Sequence, residues 1–199
     1  MNIGALILMG GKNSRMDGNI KGLLKINDIT FLERIISVLK DFDTIYLSVN
    51  KAFSSEEIKK YEDMGLSVIV DLYDDIGPMG GIYSSLKNCK EDYLFVTACD
   101  MPFINKNLIN KLKLNIKQNI DAVLFSKNKL LYPLGAIYSK NMILYMEQLI
   151  CNKEYKLLKL IKSSNFIELP LENTELSDDI LKNINTTEEY KQLIKYYEK

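Results

Sequence analysis

The stretch Ile3-Gly4-Ala5-Leu6-Ile7-Leu8-Met9-Gly10-Gly11-Lys12-Asn13-Ser14-Arg15-Met16-Asp17-Gly18-Asn19-Ile20-Lys21 joins an apolar run to a glycine-bearing loop with two spaced cations. Ile3 to Leu8 is short, almost continuously apolar and runs into glycine, the pattern of a parallel strand buried on both faces. Gly10 and Gly11 permit close backbone approach and positive φ, so successive N–H groups can face phosphate oxygens. Arg15 can grip a phosphate through two parallel hydrogen bonds, whereas Lys21 offers a movable point charge. A Gly-Gly pair alone is more often a plain turn. Arginine, however, occurs only at Arg15 and Arg34 among the 26 basic residues, so a guanidinium in this loop is not generic surface charge. The spacing fits neither G-x-G-x-x-G nor G-x-x-x-x-G-K-[ST].

Downstream, Phe31, Leu32, Ile35, Ile36 and Leu39 recur at helical spacing, and Ile45 to Val49 reads as a second strand. Ser54 with Glu57 forms a capping box for a helix through Met64 that Gly65 ends, and Leu66 to Val70 is a third strand running into Asp71. This β-α-β-α-β alternation predicts a doubly wound, mostly parallel sheet with ligands outside the carboxyl ends of its strands. Gly77-Pro78-Met79-Gly80-Gly81 opens a short helix carrying Ile82 and Leu86. Tyr93 to Thr97 is the fourth strand, leading into Ala98-Cys99-Asp100-Met101-Pro102. Asn105 caps a helix with Leu108, Ile109, Leu112 and Ile116 on its apolar face. Ala122 to Phe125 is another strand. Pro133 to Tyr138 is strand-like but carries Pro and Gly, which places it near a sheet edge. Helical patterns over 141–149 and 155–161, a strand around 166–169 and a terminal helix capped by Thr186 and Glu189 complete the chain.

At 199 residues, one domain spanning 1–199 is expected. Equal counts of 26 basic and 26 acidic residues give no general attraction to nucleic acid. The absence of histidine removes the usual triads and the commonest general base. Cys89, Cys99 and Cys151 lack paired spacing and predict free, buried thiols in a reducing cytoplasm. The apolar start is far shorter than the ~20 residues of a membrane span, so no membrane association is expected. Asp100, directly after an apolar strand, would put a hard oxygen donor at the sheet's carboxyl edge, where it could hold Mg²⁺ shared with phosphate and water. Asp71 is a second strand-end carboxylate on that edge.

Five segments together carry a family resemblance: Leu8 to Lys21, Gly77-Pro78-Met79-Gly80-Gly81, Cys99-Asp100-Met101-Pro102, Tyr132-Pro133-Leu134 with Tyr138, and Asn183-Ile184-Asn185-Thr186. In order and separation they resemble the motifs of the molybdenum cofactor guanylyltransferases. The resemblance implies a single-domain, Rossmann-like three-layer α/β/α fold of the nucleotide-diphospho-sugar transferase type. It also implies GTP and molybdenum-molybdopterin as substrates, Mg²⁺ as cofactor, and molybdenum cofactor synthesis proteins and acceptor molybdoenzymes as partners. By the same resemblance Leu8, Met9, Gly10 and Gly11 would contact the nucleotide, Lys21 its phosphates, Asp71 the nucleotide, and Asp100 both GTP and metal. Catalysis would then rest on Arg15, Lys21 and Asp100, with Asn183 and Asn185 nearer the pterin. The acceptor phosphate is already anionic, so in-line attack on the α-phosphorus requires no strong base.

The chain departs from the family pattern at Met9, where Ala is usual, at Asp17, where Gly is common, at Thr187, where Pro commonly follows, and at Lys156, where relatives often carry Arg. Two alternatives stay open on sequence alone: a related nucleotidyltransferase using CTP or a sugar-phosphate acceptor, and a nucleotide-binding partner module with weakened catalysis. Base choice separates the first. Cytidylyltransferase relatives typically show L-A-A-G where this chain has Leu8-Met9-Gly10-Gly11. The missing Cβ at Gly10 leaves room for backbone groups to approach a purine edge. GTP is therefore expected to exceed CTP in kcat/KM, and Gly10→Ala to weaken GTP more than CTP. Kinetics with both nucleotides in parent and variant check this, and a parent that favours CTP would move the chain to the cytidylyltransferase branch.

Overall fold

Two apolar layers cover opposite faces of one sheet, because the buried strands send alternate residues to opposite sides. The computed structural model describes residues 2–9, 15–16 and 19–197, with Arg15, Met16 and Asn19 described as backbone. Among them seven strands form the main sheet: β1 (Ile3–Leu8), β2 (Ile45–Val49), β3 (Ser67–Val70), β4 (Tyr93–Ala98), β5 (Ala122–Lys127), β6 (Leu130–Ser139) and β7 (Phe166–Pro170). Their order is β7-β5-β6-β4-β1-β2-β3. β4, β1, β2 and β3 run parallel, β6 is antiparallel to both neighbours, and β7 is parallel to β5. In β1, Ala5 and Ile7 join one core cluster while Leu6 and Leu8 join the other.

Among the described residues seven α-helices accompany the sheet: α1 (Phe31–Leu39), α2 (Ser55–Asp63), α3 (Pro78–Asn88), α4 (Lys106–Leu114), α5 (Ile143–Cys151), α6 (Leu157–Lys162) and α7 (Thr187–Tyr197). The buried apolar residues of α2 and α4, with those of α1 apart from Phe31, belong to one cluster and those of α3, α5 and α6 to the other, giving the three-layer α/β/α arrangement expected from the sequence. The helix signals act as read. Ser54 and Glu57 form a reciprocal capping box, Gly65 leaves α2 at φ 85°, and Asn105 accepts the Leu108 N–H at 3.0 Å. None of the described helices is long and apolar enough to cross a membrane.

The sheet's register places the strand ends. Leu8 pairs with Ser48 on one side and Ala98 on the other, and Ser48 pairs in turn with Ile69. Strands β1, β2 and β4 therefore finish nearly level, with Asp71 and Asp100 one and two residues beyond the ends of β3 and β4. Chain order proceeds from β1 outward through β2 and β3, then reverses to β4, so the switch point lies between β1 and β4.

Two features differ from the sequence reading. β6 is an interior strand, and β7 occupies the edge. Proline and glycine are tolerated inside because the β5–β6 register slips between Tyr132 and Ile137. Within that slip Gly135 adopts φ 67°, and the buried Tyr138 hydroxyl donates to the Pro133 carbonyl at 2.6 Å. Second, Cys151 is exposed, whereas Cys89 and Cys99 are buried as expected, and all three are free.

A Cβ at Gly135 would stand 2.4 Å from Leu181 Cδ2, in a backbone conformation that side chains rarely adopt. Gly135→Ala is expected to destabilise the fold by about 1–3 kcal/mol, combining strain and overpacking. A denaturant titration checks this, and an unchanged midpoint would mean that the slip relaxes freely.

Candidate functional site

A cleft of about 720 Å³ opens at the carboxyl edge, where Leu8, Asp71 and Asp100 meet the loop after β2, the start of α3, and Asn183 and Asn185. Its floor follows from the register, since parallel strands that end level bring their following residues to one edge. Its wall on the α3 side follows from two glycines. Gly77 precedes the helix at φ 63°, with Pro78 at its first position. A Cβ on Gly81 would lie 2.7 Å from Leu8 Cδ2 and 2.4 Å from Ser48 Oγ, so α3 reaches the strand ends only because that atom is missing.

Among the described residues Lys21 and Asp100 form the most deeply buried ion pair at the cleft. Lys21 begins the short 3-10 turn Lys21–Leu23, which lies against the end of β4 because Gly22 has no side chain there. A Cβ on Gly22 would stand 3.1 Å from Cys99 Cβ. Lys21, only 2% exposed, donates from Nζ to Asp100 Oδ2 at 3.0 Å and to Asn185 Oδ1 at 2.7 Å. Asn183 Nδ2 donates to Asp100 Oδ1 at 2.9 Å, and the Ile184 N–H to the Asp100 carbonyl at 2.8 Å. The C-terminal segment thus clamps both members of the ion pair. Desolvation makes such a pair weak as a source of net stability, but removing one partner strands the other charge.

Asp71 has a different environment. It is 8% exposed, and its Oδ1 accepts a 2.6 Å hydrogen bond from Ser48 Oγ. Burial pushes its pKa up to about 6; the Ser48 hydrogen bond opposes that rise, and the charge of Asp74 adds to it. Asp74 in turn pairs with Lys51 at 2.9 Å on the exposed rim. Beside Asp100, burial drives the Cys99 thiol up to about 12, so Cys99 is a packing group and not a nucleophile.

Of the residues singled out in the sequence, Leu8, Asp71 and Asp100 line the cleft, and Lys21 reaches it through Asp100. The Met9 side chain is fully buried in the core, and its N–H donates to the Ser48 carbonyl at 2.9 Å. Gly10, Gly11 and Asp17, with the side chain of Arg15, lie outside the described residues. Lys156 is exposed ahead of α6 and is not among the residues lining the cleft. Asn183 and Asn185, expected toward the pterin, bond to Asp100 and Lys21. Sequence reasoning passed over Ser48, Asn50, Lys51 and Tyr73. The strand-end rule applied to β2, as it was to β1, β3 and β4, would have flagged the first three.

Comparison with known proteins adds an independent line. The model of the MobA-like NTP transferase domain matches residues 5–168. A probable molybdenum cofactor guanylyltransferase of Clostridium perfringens (strain 13 / Type A) is 39% identical, with 96% of each chain covered. One from Thermococcus sibiricus is 32% identical over 94% of this chain and 95% of its own. Among solved structures, molybdopterin-guanine dinucleotide biosynthesis protein A from Archaeoglobus fulgidus superposes with TM-score 0.80 at 23% identity, covering 97% of both chains, which bears on the fold alone.

The raised pKa of Asp71 has a signed consequence for stability. Its ordinary value of 3.8 applies to the unfolded chain and about 6 to the folded one. The folded state therefore holds the proton more tightly, and this contribution to stability is lost as pH rises through 6. Asp71→Asn, which keeps the Ser48 hydrogen bond without burying charge, is expected to stabilise the ligand-free protein above pH 6 by about 2 kcal/mol. The gain should vanish near pH 4. Melting curves of parent and variant at both pH values measure it, and equal stability at pH 7.5 would rule out the burial cost.

Proposed function

Since the chain belongs to the MobA-like NTP transferase family, among the molybdenum cofactor guanylyltransferases, we propose that it transfers GMP from GTP to the terminal phosphate of molybdenum-bound molybdopterin. An acceptor phosphate oxygen forms a bond to the α-phosphorus of GTP, the bond from that phosphorus to the bridging oxygen breaks, and pyrophosphate leaves with the electron pair. The observation that supports this reading best is the meeting of Leu8, Asp71 and Asp100 at one cleft on the switch-point edge, with Lys21 bonded to Asp100. Ligands in open α/β sheets bind at that edge.

The geometry around Lys21 and Asp71 supports a division of labour between them. Lys21 presents a charge fixed in a dry setting, where it neutralises phosphate more strongly than an exposed lysine would. Asp71, ionised at neutral pH, accepts hydrogen bonds from donors on the nucleotide. Arg15 is assigned to the departing pyrophosphate, and Gly10 and Gly11 to close approach of the backbone. No protein group has to remove a proton from an acceptor that is already anionic, which fits a chain without histidine. Catalysis is then positioning and charge neutralisation.

Asp100 fits a divalent cation. Each carboxylate oxygen has lone pairs beyond those taken by Lys21 and Asn183. Among the described residues no group of three or more His, Cys, Asp or Glu is arranged to hold a metal ion. A metal would therefore be held by Asp100 together with substrate phosphates and water, the usual manner of Mg²⁺. Bound there, it would supply charge neutralisation at the triphosphate.

Asp100→Asn is expected to lower turnover by about 10²-fold or more at saturating GTP. Because Lys21 loses its counter-charge, the variant should also lose about 3 kcal/mol of stability, so circular dichroism must first establish that it is folded. Lys21→Ala should raise KM for GTP and lower kcat together, since its charge acts in both ground and transition states. Pyrophosphate release with purified acceptor reads both. Parent-like turnover in folded Asp100→Asn would reject its role at the metal, and unchanged kinetics in Lys21→Ala would remove Lys21 from the site.

A further inference from the structure

Asp71 is gripped from behind by a residue that does not line the cleft. Ser48, the penultimate residue of β2, is 1% exposed and stands level with Leu8 and Ile69 on the flanking strands. Its hydroxyl donates to Asp71 Oδ1 at 2.6 Å, and its carbonyl accepts the Met9 N–H at 2.9 Å. α3 closes the remaining side: a Cβ on Gly81 would stand 2.4 Å from Ser48 Oγ and 3.3 Å from Ser48 Cβ. One buried serine thus touches the cleft carboxylate through its side chain and the entrance to the glycine loop through its backbone, in a space just large enough for a hydroxyl.

We propose that Ser48 is a positioning residue for nucleotide binding, whose hydroxyl locks Asp71 into its ligand-accepting orientation while its carbonyl fixes the chain at Met9 where the glycine loop begins. The inference rests on the reading of Asp71 as a nucleotide contact. A hydroxyl suits the task because it donates to a carboxylate but brings no charge of its own into a cleft that must receive a triphosphate.

The electrostatics agree with this geometry. Among the described residues, the charged groups that line the cleft with Asp71 are Asp74, held by Lys51 from the loop after β2, Asp75, and Asp100, which is paired with Lys21. Burial and Asp74 favour the protonated carboxyl, and the Ser48 hydrogen bond is the opposing influence. Without that hydroxyl the titration of Asp71 moves to higher pH, and at neutral pH a larger share of molecules presents a carboxylic acid to the nucleotide's donors.

The test is calorimetric binding of GTP with Mg²⁺ to the full chain between pH 5.5 and 9, for the parent, Ser48→Ala, Asp71→Asn and the double variant. Ser48→Gly, which removes the hydroxyl and needs no added space, replaces Ser48→Ala if the latter does not fold. Titration of GTP itself is common to all four proteins. Ser48→Ala is expected to weaken GTP about tenfold at pH 7, to move the acidic loss of affinity to higher pH, and to regain part of the affinity at pH 9. In the Asp71→Asn background it should add little, because the group it positions is gone. Parent-like affinity and pH profile in Ser48→Ala, with Asp71→Asn impaired, overturns the proposal while leaving the Asp71 reading intact. A loss that is equal at every pH and fully additive with Asp71→Asn overturns it in favour of a merely structural serine. Unimpaired binding by Asp71→Asn removes the underlying reading and the proposal with it.

Discussion

Taking an ammonium out of water costs several kcal/mol unless its charge is answered, and Lys21 is almost wholly out of water. Much of the local structure meets that requirement. The turn at Lys21–Leu23 has to lie on the end of β4, which Gly22 permits, and β4 has to deliver Asp100 within 3.0 Å. The remaining donors and acceptors of the pair then need partners of their own, and these arrive from more than 80 positions away, in Asn183, Ile184 and Asn185. That segment is held in place by Ile184 and α7. Ile184 and Leu193 pack with Ile26 and Phe31 in a separate small cluster, and the Tyr190 hydroxyl donates to the Lys25 carbonyl. Three distant parts of the chain are thereby tied to one charge.

The same pair explains why the C-terminal asparagines sit where they do. An amide offers a donor and an acceptor on one planar group, so Asn183 can donate to Asp100 while Asn185 accepts from Lys21. Charged residues in their places would add a net charge beside the ion pair, which the neutral amides avoid. A substrate phosphate or a metal entering the cleft meets a Lys21 and an Asp100 already oriented, and costs less reorganisation than it would against free side chains.

Much of the framework was legible in the sequence because buried parallel strands and capped helices write strong local patterns. β1 is apolar on both faces since both faces are covered, and Ser54 with Glu57 announces α2 through four orphan N–H groups that need partners. What misled was β6. Pro133 and Gly135 argue for an edge if a strand is assumed regular, but a register slip supplies the freedom that an edge would have given. The site was readable only in part for a similar reason. Carboxylates and cations announce themselves as residue types, whereas Ser48 acts through a single hydrogen bond whose partner is 23 positions away. The roles of Asn183 and Asn185 required the fold, since an amide reveals neither its donor's target nor its acceptor's source until the chain is closed.

Two carboxylates share this cleft and are stabilised in opposite ways. Asp100 has a full counter-charge and an amide donor; Asp71 has a hydroxyl and the unhelpful neighbour Asp74. A carboxylate held by a lysine and an amide, with lone pairs left over, suits a task such as sharing a cation with phosphates. Asp71 has no paired cation among the described residues, and a carboxylate buried in that way is held at an energetic cost, which a ligand's N–H or O–H donors relieve by replacing lost hydration. Stability given up at Asp71 in the empty protein is therefore recoverable as binding free energy when the right donors arrive. A ligand presenting an acceptor at the same place would leave the carboxylate unpaired and repelled. On the proposed reading, the uneven treatment of the two groups separates charge neutralisation at Asp100 from recognition at Asp71, and links the second to the register that sets Ser48 beside Leu8.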